Sequence, residues 1–194
     1  MTSSNPTDPA QVRLTGENSF IRLSLAENGP NTTRISHWRI LLSPAGTGHV
    51  LFMQSDVTDE EVRIYSDNIA LARWLQEEIE SQLFEPFADQ DSPVVEAVFD
   101  KSGDGRSFWT ETVESDEDII SLTWYDFIEP FVLRAPPNSA PGRLHGVYSC
   151  FVPAQRAQVT VNGDVAQGRP FPNMRGDKVS STACLAWSET WVRP

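Results

Sequence analysis

Residues 119–133 read IISLTWYDFIEPFVL, and this stretch gives the strongest indication of the fold class. Apolar and polar side chains alternate along it, with Leu122 and Trp124 on one side and Ser121 and Thr123 on the other. Successive side chains of a β-strand point to opposite faces of the sheet. The stretch therefore predicts a long strand with one buried face.

Comparable strand patterns, separated by short turn signals, fill most of the chain on both sides of this stretch. Strands are predicted over residues 12–26, 35–43, 49–54, 94–99, 107–114, 144–152, 157–161 and 181–192. One α-helix is predicted at about 68–80, with Asp67 as its N-cap, because apolar residues recur there at helical spacing. We therefore expect a mainly β protein, with a single antiparallel β-barrel domain over residues 12–194 behind a flexible lead-in over residues 1–11.

The predicted layout also resembles a known group of barrels. His37 and Trp38 lie in an early strand, comparable to the one in which lipocalins carry a Gly-x-Trp motif, although the glycine is absent here. About eight antiparallel strands plus one helix is similar to the calycin or lipocalin-like layout. The resemblance implies a fold that hosts carriers as well as enzymes.

The composition restricts the partners of the protein. Its 194 residues carry a formal net charge of −12, which argues against nucleic acid and anionic membranes, because phosphate binding needs clustered lysine and arginine. No apolar run reaches about 18 residues, the length that a membrane-spanning helix needs. The first residues lack the pattern of a secretory signal, so we expect a cytoplasmic location. Cys150 and Cys184 are then expected to be thiols rather than a disulfide.

At three places in predicted strands a tryptophan is followed two residues later by a carboxylate. They are Trp109-Thr-Glu111, Trp124-Tyr-Asp126 and Trp187-Ser-Glu189. Residues i and i+2 of a strand share a face, so each strand places an indole ring beside an acid. On an outer face these pairs would be solvent-exposed surface residues. On the inner face of a barrel they would line a cavity, and this alternative predicts a small-molecule site.

The three carboxylates are the predicted catalytic acids and bases. Burial raises the pKa of a carboxyl group and a nearby arginine lowers it, so Glu111, Asp126 and Glu189 can divide the roles of general acid and general base. His145 and His37 are the predicted proton carriers, because an unperturbed imidazole titrates close to neutral pH. No two histidines have the spacing of a metal site, and neither a metal nor an organic cofactor is expected.

Aromatic residues and one arginine complete the predicted site. The predicted ligand-binding side chains are Trp38, Arg39, Trp109, Trp124, Tyr125, Tyr148, Trp187 and Trp191. The indoles would shape the pocket, inward-pointing tyrosines would donate hydrogen bonds, and Arg39 would supply a counter-charge to the acids. Unpaired edge strands of an open barrel would also allow a homodimer.

Three functions are compatible with this pattern. The first is a cofactor-independent enzyme of the hydratase or dehydratase, isomerase or cyclase type, which uses carboxylate acid–base chemistry on a small hydrophobic or aromatic molecule. The second is a non-catalytic, lipocalin-like binding protein for a small apolar or cationic ligand, held by cation–π contact and charge attraction. The third is a scaffold whose tryptophans fill a core. The prediction favours the first, with the second as its alternative.

Overall fold

The structure is a computed structural model that describes residues 8, 10–139 and 144–194. The first strand begins at Val12, so the predicted lead-in over residues 1–11 lies mostly outside the described residues. Within the described part of the chain, no helix is long and apolar enough to cross a membrane.

Most of the described residues belong to β-strands. In chain order the strands are β1 (Val12–Ser24), β2 (Asn31–Leu42), β3 (Gly48–Ser55), β4 (Val62–Ser66), β5 (Val94–Glu96), β6 (Val98–Gly103), β7 (Phe108–Glu114), β8 (Ile119–Phe127), β9 (Phe131–Ala135), β10 (Gly146–Val161), β11 (Asp164–Val165), β12 (Pro172–Arg175), β13 (Lys178–Ser181) and β14 (Ala183–Val192). The predicted alternation is clearest in β8, where Ile120, Leu122 and Trp124 are fully buried.

Ten strands form one continuous path, in the order β5-β4-β3-β2-β1-β14-β10-β8-β7-β6. Neighbours on this path are antiparallel except for β4 and β5, which are parallel. β9 and β11 pair with the long strand β10 outside this path, and β12 pairs with β13 in a separate two-stranded sheet. β10 therefore contacts β9 along its first half and β8 along its second half.

The two ends of this path meet in a single segment of chain. Only Ala97 separates β5 from β6, and β5 pairs with β4 while β6 pairs with β7. Residues 94–103 thus join both ends of the sheet and close it into a nearly complete barrel. The predicted mainly β fold, a barrel with one helix, is confirmed.

The helical segment follows β4 directly. Its first part, α1 (Ile69–Leu75), begins after Asn68, whose side-chain oxygen accepts a hydrogen bond of 3.1 Å from the Leu71 N–H. The prediction of Asp67 as the N-cap is wrong, because its carboxylate binds the backbone N–H and ring Nδ1 of His49 instead. The segment continues as a π-helical turn (Gln76–Glu80) and a short α2 (Ser81–Leu83).

Two large groups of buried side chains lie on the two faces of the sheet, and a small third group consists of Phe20, Phe151, Cys184 and Ala186. One group fills the barrel interior and includes Leu51 and Trp124. The other packs between the outer face of the sheet and the helical segment and includes Phe52 and Leu75; we call this region the helix–sheet layer. Leu51 and Phe52 are neighbours in β3 and belong to different groups, as strand alternation requires.

Three predicted strands differ from the observed ones. The stretch 119–133 divides into β8 and β9, with Pro130 immediately before β9. Residues 144–152 and 157–161 form one strand, β10, although Pro153 lies in its middle. Pro153 is tolerated because it lies beside the break between β9 and β8, where its carbonyl accepts the Ile128 N–H and no ladder N–H is needed. β4 has no counterpart among the predicted strands.

Candidate functional site

A β-bulge in β14 decides where two of the predicted site residues lie. Opposite residues 148–150 of β10, β14 uses residues 187–190, which is one residue more. Ser188 has a φ of 53°, in the left-handed region. The extra residue shifts the alternation, so Trp187 packs against the barrel interior whereas Glu189 lines a cavity in the helix–sheet layer.

Glu111 is buried at one end of the barrel interior. It lies between Trp109 and Val113 on the inner face of β7, and only 5% of it is exposed. The Trp109 indole N–H donates a hydrogen bond of 2.7 Å to Oε1 of Glu111. Burial raises the pKa of Glu111 to about 7, although the indole N–H and the Lys101 ammonium act in the opposite direction. This carboxyl group therefore exchanges its proton close to neutral pH.

Charged side chains from both sides of the barrel closure surround Glu111. Glu17 on β1 and Arg39 on β2 are register partners, and Arg39 Nη1 lies 3.3 Å from Oε1 of Glu17. Lys101 on β6 is the register partner of Glu111 on β7. Lys101 and Arg39 lower the pKa of Glu111 and Glu17 raises it, so all three charges act on this carboxyl group. We call the region formed by these three residues, Glu111 and the two indoles of Trp109 and Trp187 the barrel mouth.

Two indole rings complete the barrel mouth. Trp109 and Trp187 are half-buried and meet edge to face, with ring centroids 5.5 Å apart. Lys101 Nζ lies 5.6 Å from the Trp109 ring centroid, within cation–π range. A Cβ at Gly105 would come within 2.7 Å of Trp187 Cη2, so the turn between β6 and β7 lies directly over this ring. Buried side chains such as Trp124 fill the interior behind the barrel mouth.

His37 lies two residues before Arg39 on the same inward face of β2. It is 2% exposed, and its Nε2 has no hydrogen-bond partner among the residues that the structure describes. Burial lowers the pKa of His37 to about 3, and the charges of His49, Lys101 and Arg39 act in the same direction. Its ring packs against Phe99, with centroids 5.9 Å apart. The imidazole is therefore neutral at pH 7 and offers an unused ring nitrogen to the interior.

Four of the predicted residues lie in the helix–sheet layer instead. Glu189 accepts the indole N–H of Trp191 at 2.6 Å, and both residues line a cavity beside the helical segment. The His145 ring lies 6.0 Å from Trp191, and burial lowers the pKa of this histidine. Trp38 is fully buried in the same layer and donates its indole N–H to Oε1 of Glu80 at 2.7 Å.

Asp126, Tyr125 and Trp124 belong neither to the barrel mouth nor to the helix–sheet layer. Asp126 has a φ of 56°, which takes it out of the alternation of β8, and its exposed carboxylate forms an ion pair with Arg156. The Arg156 guanidinium also lies over the Tyr125 ring, 4.6 Å from the centroid. Trp124 is fully buried, with its indole N–H bonded to the Phe20 carbonyl at 3.1 Å. This indole is a core residue.

The structure thus divides the predicted site into separate places. The barrel mouth and the adjacent interior bring together His37, Arg39, Trp109, Glu111 and Trp187. Tyr148 is half-buried in β10, opposite Thr190 of β14. The three acids of the repeated tryptophan–acid pattern do not converge, because one lies inside the barrel, one in the helix–sheet layer and one at the surface.

Some charged residues of the barrel mouth and of the helix–sheet layer are missing from the sequence prediction. Glu17 shares the inward parity of Ile21 and Leu23 in the first predicted strand, and Lys101 follows Phe99 by two residues. Alternation, continued along both strands, would have found these two charges. Nothing in the sequence singles out Glu80, because a helix rich in glutamate predicts solvated acids.

Neither a metal centre nor a related protein identifies the site. Among the described residues, no group of three or more His, Cys, Asp or Glu side chains is placed to hold a metal ion. No protein-family model, curated protein or solved structure matches the chain. The likeness to lipocalins is therefore one of layout, and function has to be argued from the side chains themselves.

Proposed function

We propose that the protein is a small-molecule enzyme in which the Glu111 carboxyl group at the barrel mouth acts as general acid and general base. The substrate is a hydrophobic or aromatic molecule, and the reaction is an isomerisation, a cyclisation, or a hydration or dehydration. One observation carries the proposal: a buried carboxyl group whose pKa is about 7 lies beside two indole rings that are partly open to solvent.

The surroundings of Glu111 suit proton transfer. A group with a pKa of about 7 is present in both protonation states at neutral pH, so it can take a proton in one step and return it in the next. The hydrogen bond from Trp109 orients the carboxyl group. Arg39 and Lys101 supply positive charge that would stabilise a negative charge developing on a substrate oxygen.

An enolisable ketone illustrates the chemistry. The Glu111 carboxylate removes a proton from the carbon beside the carbonyl group, and the electron pair of the broken C–H bond moves towards the carbonyl oxygen. Lys101 or Arg39 stabilises the enolate that forms. The carboxylic acid then returns the proton to the same carbon or to a conjugated one, so that the step needs no oxidant, reductant or cofactor.

The titration of Glu111 can be tested without a substrate. The indole ¹⁵N–¹H signal of Trp109 reports the charge of the carboxyl group to which it donates. We expect this signal to shift with a midpoint near pH 7 in the wild type, and not to titrate there in Glu111→Gln. A midpoint near the ordinary value of 4.5 would remove the main support for the proposal.

Turnover is tested with a panel of enolisable aromatic ketones in deuterated buffer, followed by mass spectrometry. We expect the wild type to exchange the acidic C–H of at least one ketone, and Glu111→Gln to lose about a hundredfold or more of that rate while it still binds the ketone. Glu114→Gln is the matched control, because Glu114 is exposed at the end of the same strand. Equal exchange by Glu111→Gln and the wild type would contradict the assignment.

A binding protein for a small cation is the second candidate function. The Lys101 ammonium already lies over the Trp109 ring, which indicates that this indole accepts a cation. In that case a cation such as benzylammonium, which keeps its charge over this range, would bind more tightly at pH 8 than at pH 6, since Glu111 gains its negative charge between these values. Glu111→Gln would then lose this pH dependence, and no variant would differ in isotope exchange.

A further inference from the structure

A cavity of about 100 Å³ lies in the helix–sheet layer, on the opposite face of the sheet from the barrel mouth. Its walls come from the outer faces of β1 and β2, from β10 and β14, and from the end of the helical segment. No residue of the barrel mouth lines it. The cavity is therefore a separate site, and an inference about it does not depend on the function proposed for Glu111.

Glu80 is fixed in the wall of this cavity by hydrogen bonds. It is 1% exposed, and its Oε1 accepts the Ser36 hydroxyl at 2.6 Å and the Trp38 indole N–H at 2.7 Å. The residue ends the π-helical turn, and such turns often occur at functional sites. Burial raises the pKa of Glu80, although its hydrogen bonds and two arginines oppose this, and so favours the neutral form of the acid.

The Arg22 guanidinium lies at this cavity without a direct ion pair among the described residues, although the charge of Glu80 acts on it. Within the described part of the chain it forms no ion pair and donates no hydrogen bond, and its ring contact is with Phe20, at 5.7 Å. Arg34, which lies over Phe84 at 3.9 Å, is close enough to repel it. Burial and the charges of Arg34 and Arg175 lower the pKa of Arg22 to about 10, whereas the charge of Glu80 raises it. Arg22 therefore stays charged at neutral pH, near two other cations and one acid.

Positive charge exceeds negative charge around the cavity. Arg22, Arg34 and Arg175 line it together with two acids, Glu80 and Glu189. Three positive and two negative groups leave one excess positive charge when both acids are ionised, and more when Glu80 is neutral. Like charges in a partly desolvated space repel each other strongly. An anion in the cavity would offset this repulsion.

The remaining wall is mixed. Asn18 and Ser36 contribute polar groups, and Phe20, Phe87, Phe151 and Leu133 form an apolar, largely aromatic part. The volume is somewhat smaller than the roughly 150 Å³ that accommodate a benzene molecule in an engineered cavity of another protein. We therefore expect a ligand of about five or six non-hydrogen atoms, with one anionic end and one apolar end.

We propose that this cavity binds a short organic monocarboxylate, whose carboxylate group lies against Arg22 and Arg34 and whose apolar end packs on the phenyl rings. Guanidinium groups bind carboxylates through paired, charge-assisted hydrogen bonds, which a neutral ligand of the same shape does not form. The phenyl rings distinguish an organic acid from an inorganic anion, because an inorganic anion gains nothing from apolar contact.

Calorimetric titration at pH 7 with sodium butyrate, butyramide and sodium phosphate tests this proposal. Butyramide has the size and shape of butyrate without its charge. We expect butyrate to bind, and butyramide to bind about tenfold more weakly or not at all. No binding of butyrate at millimolar concentration, or equal binding of the amide, would overturn the proposal. Binding of phosphate without binding of butyrate would also overturn it, in favour of an inorganic-anion site.

Variants locate the binding site. We expect Arg22→Gln to weaken butyrate binding by about tenfold or more, and Arg22→Lys to restore part of the loss. Arg156→Gln is the matched control, because Arg156 also lies over an aromatic ring, that of Tyr125, but away from this cavity. Unchanged butyrate affinity in Arg22→Gln, with a folded protein, would contradict the assignment.

The melting temperature separates a binding role of Arg22 from a structural one. The ligand-free Arg22→Gln protein should melt at a higher temperature than the wild type, because the substitution removes the repulsion of this half-buried cation by Arg34 and Arg175. A lower melting temperature together with intact butyrate binding would show that Arg22 supports the fold only. Should Arg22→Gln not fold, Arg34→Gln decides in its place, and wild-type affinity in that variant overturns the proposal. Glu111→Gln should bind butyrate like the wild type, whether or not the mouth is catalytic.

Discussion

Two hydrogen bonds of the same kind lie on opposite faces of the sheet, in very different surroundings. At the barrel mouth Trp109 donates its indole N–H to Glu111, and in the helix–sheet layer Trp38 donates to Glu80, each at 2.7 Å. Glu80 also accepts the Ser36 hydroxyl and is closed off from solvent. The rings beside Glu111 are instead partly exposed, and Lys101 is exposed to solvent.

The difference shows what an indole contributes to a buried acid. An indole N–H only donates, so it satisfies one carboxyl oxygen and favours the charged form of the acid to a limited extent in both regions. The other neighbours decide whether the group is charged. Glu80 is fixed in a closed network, whereas Glu111 lies beside side chains that are partly exposed and has a pKa of about 7. The same contact is thus part of the packing in one region and part of a proton-exchanging group in the other.

The largest effect that distinguishes the two regions should come from replacing the indoles. We expect Trp38→Phe to lower the free energy of unfolding by about 3 kcal/mol, because it leaves a void in a closed core and takes a donor from a buried acid. Trp109→Phe should cost about 1 kcal/mol, since water can replace its N–H. Urea unfolding at pH 7, followed by circular dichroism, measures both. Equal losses would remove the contrast between the regions.

The pH dependence of stability tests the mouth alone. Folding raises the pKa of Glu111 from 4.5 to about 7. Below pH 4.5 the carboxyl group is protonated in both states and costs no stability. Between pH 4.5 and about pH 7 the unfolded chain releases this proton and the folded protein keeps it, so the free energy of unfolding falls. Glu111→Gln has no such loss. Relative to the wild type, the variant should gain roughly 3 kcal/mol of unfolding free energy between pH 4 and pH 8. Parallel stability curves for the two proteins would refute the raised pKa.

The smallest expected change in unfolding free energy concerns the bulge that places Trp187 and Glu189 on different faces of the sheet. Ser188 adopts a left-handed conformation that costs a non-glycine residue about 1 kcal/mol. We expect Ser188→Gly to raise the unfolding free energy by about 0.5 kcal/mol, because glycine relieves this strain but is more flexible when unfolded. Thr190→Gly, in an extended part of the same strand, should lower it by a similar amount or more. Thermal unfolding of the two variants and the wild type measures both effects. If Thr190→Gly also stabilised the protein, the gain in Ser188→Gly could not be assigned to strain at the bulge.

Strand alternation predicted the barrel mouth as far as the strands are regular. β7 pairs with β8 without a bulge, so Trp109 and Glu111 lie where alternation puts them. The rule failed at Glu189, because Ser188 is an extra residue in the strand. A glycine or asparagine at this position would have indicated a left-handed conformation, but a serine does not. The rule also failed at Asp126 because the strand leaves the extended conformation there.

The cavity in the helix–sheet layer could not be predicted from the sequence. Arg22 and Arg34 alternate with apolar residues in β1 and β2, and such a charge in a strand ordinarily indicates a solvent-facing side chain. What covers them is the end of the helical segment, which is distant in sequence from β1. Only the tertiary arrangement shows that these two arginines and Glu80 line one cavity.

The pairing of β1 with β14 has a consequence for the growing polypeptide. β2 is synthesised soon after β1 and pairs with one edge of it, but the other edge is completed only by residues 183–192. Until those residues leave the ribosome, that edge exposes backbone N–H and C=O groups to neighbouring nascent chains. Arg13 and Glu17, charged residues on this strand, discourage intermolecular pairing in the meantime. A ribosome that stalls just before the last strand would therefore carry the form of this protein that is most prone to aggregate.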